Sequence, residues 1–206
     1  MLEEKRAGFV AVIGSPNSGK STLINHFIGQ KITIVTRKVQ TTRSVIRGIC
    51  IHEESQLVFS DTPGIFEPKR RLDRAMVEAA WGSSGDADII LFLYDAQKSR
   101  IDDETNKILD ELGQSAKKKI LVFNKVDLVN NKTLLPLIKG FEAICSFDAT
   151  FIISALTGEG CKEVMSYLAK NLPKGPWLYP EDEITDLPAR LLAAEITREQ
   201  IFMRLH

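Results

Sequence analysis

The sequence predicts an α/β fold: a mostly parallel six-stranded sheet with helices on both faces. Three observations carry this. Short apolar runs alternate with longer amphipathic stretches through about residue 171, the rhythm of strands and crossover helices. The 206 residues are 44% hydrophobic and 26% charged, enough for one substantial core and a little more. Neither internal repeats nor low-complexity segments interrupt the pattern.

Phe9 to Ile13 is the first strand-like run, and Lys20 to Ile28 is the helical stretch after it. Val45 to Ile51 and Leu57 to Ser60 follow as strands. Only a few residues around Glu53-Glu54-Ser55 separate them, too few for a crossover, so this pair is expected as an antiparallel hairpin. Helix then alternates with strand: Leu72 to Trp81, Ile89 to Tyr94, Asp102 to Leu112, Ile120 to Phe123, Leu134 to Ala143, Phe151 to Ile153 and Lys162 to Asn171. Residues 1–172 thus make one complete layered core. Leu172 to Pro188 carries Pro173, Pro176, Pro180 and Pro188 and no helical period, so residues 173–188 read as an extended connector. Residues 189–206 turn helical again, with Leu191, Leu192, Ile196, Ile201, Phe202 and Leu205 apolar. A lone helix cannot bury that many apolar side chains, so it docks on the core or opens a second domain.

The composition excludes a disordered tail, a collagen-like repeat and a disulfide scaffold. Lys plus Arg and Asp plus Glu both number 27, so bulk charge draws no polyanion, although a local basic patch still can. Cys50, Cys145 and Cys161 form no metal-ligand spacing and read as small hydrophobes in a reducing compartment. No stretch reaches the roughly 18 apolar residues of a membrane span, so a cytoplasmic location is expected. His26 and His52 have no nucleophile or metal partner in sequence and read as structural or surface residues. Trp81 is expected to pack its helix on the sheet, and Trp177 and Tyr179 to anchor the connector.

The first strand runs into Gly14-Ser15-Pro16-Asn17-Ser18-Gly19-Lys20-Ser21-Thr22, which fits the phosphate-loop template in its strand–loop–helix setting. Glycines let the backbone wrap a phosphate, so that its N–H groups converge at a helix N-terminus. Lys20 brings a cation to the outer phosphates, and Ser21 offers a hydroxyl to Mg²⁺. The third strand ends in Asp61-Thr62-Pro63-Gly64, where the carboxylate suits Mg²⁺ and the Gly64 N–H can approach a γ-phosphate. The fifth ends in Asn124-Lys125-Val126-Asp127. Asp127 can accept from N1 and the exocyclic amine of guanine, a donor pair adenine lacks. Asn124 can bond the base edge, and the Lys125 stem can cover the ring. Ser154-Ala155-Leu156 ends the sixth strand, with a backbone N–H placed for guanine O6. All four motifs fall at strand C-terminal ends, where open α/β sheets bind ligands.

These motifs resemble those of the P-loop GTPases, which implies the P-loop NTPase fold. More narrowly, the chain resembles the Era family of bacterial ribosome-assembly GTPases. Asp61-Thr62-Pro63-Gly64-Ile65-Phe66 and Lys38-Val39-Gln40-Thr41-Thr42-Arg43 are similar to that family's switch segments. The connector Gly175-Pro176-Trp177-Leu178-Tyr179-Pro180-Glu181-Asp182, with Ile184-Thr185-Asp186 and Ala194-Glu195-Ile196-Thr197-Arg198-Glu199, matches more narrowly still. The resemblance implies a GTP-hydrolysing switch in small-subunit assembly, with GTP and GDP as ligands and 16S rRNA and the small ribosomal subunit as partners. That RNA contact belongs mainly to a C-terminal KH domain. Here the chain stops within what resembles the first KH helix, residues 189–206, and the tail holds no Gly-x-x-Gly clamp, so a truncated form or isolated G domain is expected. A monomer is expected; the family adds peripheral association at the inner membrane as an option.

Many GTPases place a Gln after Asp-x-x-Gly to orient the attacking water. Here that residue is Ile65, so hydrolysis is slow or uses other groups. Related GTPases with Asn at the position of Asn17 coordinate K⁺ there, which implies K⁺ beside Mg²⁺. Of Thr33, Thr36, Thr41 and Thr42, the resemblance favours Thr41 or Thr42 for Mg²⁺ and the γ-phosphate. Thr42 joins Ser21 and Asp61 as the expected metal set, and Lys20, Gly64 and Asn17 as the expected catalytic set. Arg37, Lys38, Arg43, Arg47, Lys69, Arg70, Arg71 and Arg74 read either as a solvated face or as an RNA-facing patch. Two rivals stand beside the switch: a GTP/GDP-sensing docking module with negligible intrinsic turnover, and a tRNA-modification GTPase, against which the connector argues.

Overall fold

The computed structural model describes residues 5–35, 45–65 and 71–204. Six strands, β1 (Arg6–Ile13), β2 (Ile46–His52), β3 (Ser55–Asp61), β4 (Ile89–Asp95), β5 (Lys118–Asn124) and β6 (Ala149–Ile152), form one sheet in the order β2-β3-β1-β4-β5-β6. Every neighbouring pair is parallel except β2 and β3, which form the expected antiparallel hairpin. The helices are α1 (Lys20–Ile28), α2 (Arg71–Asp86), α3 (Asp103–Gln114), α4 (Asn131–Ile144), α5 (Cys161–Asn171) and α6 (Ala189–Arg204).

Strand alternation sorts the core into two layers. Ile89, Leu91 and Leu93 of β4 face Leu23 and Ile24 of α1 and Val164 and Leu168 of α5. Ile90, Phe92 and Tyr94 face Ile108 and Leu109 of α3 and Leu137 and Phe141 of α4, with Trp81 of α2 packed alongside. On that second face Phe141 meets Tyr94 and Phe123 edge-on, with ring centroids 4.7 and 5.3 Å away. Asp102 caps α3 by accepting from the Thr105 N–H at 2.8 Å, which sets where the helix starts.

The strands outrun the apolar runs that announce them. β1 begins at Arg6 because its ladder with β3 starts there, Arg6 opposite Ser55. Likewise β5 takes in Lys118 and Lys119, opposite Ile89 and Ile90. Backbone pairing continues through polar residues, which hydropathy alone does not register. A short 3₁₀ turn, Val126–Leu128, was not expected.

The connector is extended, as expected, and it is clamped to the core. Gln56 of β3 is buried; its Oε1 accepts from the Leu178 and Tyr179 N–H groups at 2.7 and 2.9 Å, and its Nε2 donates to the Tyr179 carbonyl at 2.8 Å. Trp177 donates from Nε1 to the Glu54 carbonyl, and Lys5 lies 3.9 Å over its ring. Farther on, the Ile49 N–H donates to Ile184 O at 2.9 Å and Thr185 Oγ1 to Arg47 O at 2.7 Å, so the connector covers part of the β2 edge. Arg47, its side chain 44% exposed, pairs with Asp186 at 3.1 Å.

Helix α6 docks by one side. Its Glu199 is fully buried, forms an ion pair with Lys31, and accepts from the Val35 N–H at 2.8 Å. Leu192 packs against the first core layer, while Leu191 and Ile201 remain about half exposed, at 50% and 47%. No helix among the described residues is long and apolar enough to cross a membrane.

Candidate nucleotide-binding site

Between β1 and α1 the chain alternates into the left-handed region, at Asn17 with φ 60° and at Gly19 with φ 101°. This turns successive backbone N–H groups toward the N-terminus of α1, which has no acidic residue in its first turn to compete with an anion. Only glycine serves at position 19. A Cβ there would lie 2.2 Å from Asn124 Nδ2. Lys20 is buried, and its Nζ donates to the carbonyls of Gly14 at 3.1 Å and Ser15 at 3.0 Å. Burial lowers its pKa from 10.5 to about 8, against the opposing pull of Asp61. The cation is thus held at the loop, poorly solvated, where phosphate oxygens would pair with it.

The β1–β3 register sets Val12 opposite Asp61 and so delivers the carboxylate to the loop. Ser21 Oγ donates to Asp61 Oδ2 at 2.8 Å. A hydroxyl and a carboxylate side by side are hard oxygen donors, and they fit Mg²⁺, which is held by one or two carboxylates together with phosphates and water. Among the described residues no group of three His, Cys, Asp or Glu side chains could hold a metal. Thr62 Oγ1 donates to Val12 O at 2.7 Å and pins the strand exit. Gly64 lies so close to the loop that a Cβ would sit 2.7 Å from the Pro16 nitrogen. The Ile65 N–H then donates to Gly14 O at 3.0 Å, while its side chain, 6% exposed, turns into the second core layer.

Asn124, expected to bond the base edge, joins two loops of the site. Its Nδ2 donates to Ser18 O at 2.8 Å, and its Oδ1 accepts from the Ala155 N–H at 2.9 Å. It staples the phosphate loop to the loop after β6, which carries Ser154-Ala155-Leu156, the segment expected to offer a backbone N–H to guanine O6. Ser154 is buried, with Oγ accepting from the Thr157 N–H, whereas Leu156 is 79% exposed at the rim. Asp127 is exposed on the 3₁₀ turn. Lys125 has φ 65°, and its Nζ donates to Asp95 Oδ2 at 2.5 Å.

Thr36, Arg37, Lys38, Thr41, Thr42, Arg43, Phe66, Lys69 and Arg70 lie outside the described residues. Thr33 is described and buried, with its hydroxyl 3.3 Å from both Ser21 O and Asn25 Oδ1. Asn25 also accepts from the Ile32 and Thr33 N–H groups at 3.0 Å. His52 contacts Ser166 Oγ at 3.1 Å and His26 is exposed, both structural or surface as expected. Asn25 and Asp95 were not singled out from sequence, and Glu199 was named only within the Ala194 to Glu199 segment. Only Asp95 carried a signal, an acid at a strand's C-terminal end.

Residues 9–125 match the family model described as 50S ribosome-binding GTPase. The chain is 57% identical over 201 residues to GTPase Era of Sinorhizobium medicae and likewise to that of Rhizobium meliloti. Each match covers 98% of this chain and 64% of the relative, so the chain spans just under two thirds of those proteins. The crystal structure of Era with MgGDPNP and nucleotides 1506–1542 of 16S ribosomal RNA superposes with a TM-score of 0.92 at 41% identity, covering 98% of this chain and 68% of that one. An Aquifex aeolicus Era variant bound to GDP and AlF₄⁻ gives 0.90 at 42%, covering 96% and 67%. At this identity, coverage and superposition, the chain belongs to the Era family of GTPases.

Proposed function

We propose that this chain binds and hydrolyses GTP and acts as a switch in small-ribosomal-subunit assembly. The convergence of buried Lys20, the Ser21–Asp61 pair and the Asn124 staple on one loop carries this reading. Lys20 would draw charge from the β- and γ-phosphates, Ser21 and Asp61 would hold Mg²⁺ with Thr41 or Thr42 as third protein ligand, and the Gly64 N–H would meet the γ-phosphate. Mg²⁺ supplies charge neutralisation on the transferring phosphoryl group. Asp127 selects guanine.

Partner assignment follows the 41%-identical Era complex with 16S ribosomal RNA, a small-subunit RNA that relative binds. The family model names the 50S particle, but it matches residues 9–125 alone. In this reading residues 1–172 are the G domain, 173–188 the connector and 189–206 the first helix of a KH domain, which would carry most RNA affinity. A monomeric, cytoplasmic protein is proposed, with peripheral inner-membrane contact as the family's option.

Asn17 is exposed on the loop, with no side-chain hydrogen bond to another described residue, which leaves its amide available to a K⁺ ion. Single-turnover GTP hydrolysis in K⁺ and in Na⁺ at matched ionic strength tests this. Faster turnover in K⁺, lost in Asn17→Ala, is expected. Equal, barely detectable rates favour the second reading, a nucleotide-sensing docking module completed by a partner. Ile65 supports that rival, because its buried apolar side chain orients no water.

A further inference from the structure

Lys125 is held at both ends. Its backbone sits in the left-handed region, φ 65° and ψ 35°, a conformation that costs a branched-off side chain energy and persists where the surroundings impose it. At the far end Nζ donates to Asp95 Oδ2 at 2.5 Å, with the two side chains 27% and 14% exposed. Asp95 is itself fixed. Its other oxygen, Oδ1, accepts from the Gln97 N–H at 3.0 Å. The β4–β5 register places Asp95 directly opposite Asn124, and the Ala96 N–H donates to Asn124 O at 2.9 Å. The end of β4 therefore forms a rigid post beside the loop that carries Asn124, Lys125 and Asp127.

A free lysine stem has many rotamers, and a base that stacks on it must first freeze them. A stem anchored at Cα and at Nζ has already lost that freedom. We propose that Asp95 is a positioning residue for the guanine base: it holds the Lys125 stem extended, ready to cover the ring face. Asp95 touches no nucleotide atom in this role and leaves the phosphate end of the site alone. The inference rests on the nucleotide-binding reading above.

The test is Asp95→Asn, which keeps an acceptor for the Gln97 N–H and removes the charge that holds Lys125. Displacement of a fluorescent guanine nucleotide from the 206-residue chain gives Kd for GDP and for inorganic pyrophosphate, both with Mg²⁺. The variant should bind GDP about three- to tenfold more weakly, the loss expected when one long side chain must be ordered on binding. Pyrophosphate, which has no base, should bind it as tightly as it binds the unaltered chain. In a Lys125→Ala background, Asp95→Asn should cost GDP affinity nothing further. Equal GDP affinity in the unaltered and Asp95→Asn chains overturns the inference and leaves the function standing. So does a parallel loss of pyrophosphate affinity, which marks general damage to the fold. If the unaltered chain binds no GDP, the function reading falls and takes this inference with it.

Discussion

Lys20 shows how one buried cation ties binding to pH. Its pKa is lowered to about 8 by desolvation, while an unfolded lysine keeps the ordinary 10.5. Between those values the unfolded chain holds more protons than the folded one, so the stability of the ligand-free protein rises with pH across that window. Phosphates favour the charged form and raise the folded pKa. Nucleotide affinity should therefore fall as pH rises from about 8 toward 10.5. Near pH 8 binding should take up protons. Calorimetry in buffers of different ionisation heat reads that uptake, and zero uptake at pH 8 would contradict the account. Ser21 and Asp61 were readable in sequence because their chemistry matches a short template at a strand end. The part Asn124 plays in joining two loops was not: its two partners, Ser18 and Ala155, lie 106 and 31 residues away.

Helix α4 and the connector show the same division among elements. The apolar period of α4 is visible in sequence, yet the edge-on triad of Phe141, Tyr94 and Phe123 joins three separate elements. Phe141→Ala should destabilise the fold by about 3–5 kcal/mol through lost transfer energy and a residual cavity. A urea midpoint that moves with an unchanged slope would register it. The proline-rich connector is extended, as its composition demands, but composition does not say what it touches. Gln56 decides that with three hydrogen bonds. Gln56→Ala should cost roughly 1–3 kcal/mol. Faster amide exchange at Leu178 and Tyr179, with β1 and β4 still protected, is the expected signature; unchanged exchange would show that Gln56 does not clamp this segment.

At the scale of the molecule, nucleotide and C-terminal helix meet the core in different ways. A ligand that binds only the folded chain stabilises it by about 2.7 kcal/mol at a hundred times its Kd. For a chain of this size that corresponds to a rise in Tm of roughly 5–10 °C. Mg²⁺ with GDP should give that rise, and ADP at the same concentration should not, since Asp127 meets no donor pair on adenine. An equal rise with ADP would remove the guanine assignment. Glu199 of α6, buried against Lys31 and the Val35 N–H, holds the helix at the root of the segment that follows α1. Glu199→Ala should loosen α6, read as faster amide exchange through Ala189–Arg204, with sheet protection intact.

Order, type and polarity of the elements were determined by the sequence alone. Alternating strands, amphipathic helices and glycine-bearing strand ends are local patterns, written within a few residues of where they act. The same locality made Lys20, Ser21, Asp61 and Asp127 legible. Tertiary structure alone decided what those residues are fastened to. The turn of Ile65 into the core, the Asn124 staple, the Asp95 post, the Gln56 clamp and the burial of Glu199 each join distant parts of the chain. A buried polar group must find a partner wherever the fold supplies one, and local spacing does not record where that is.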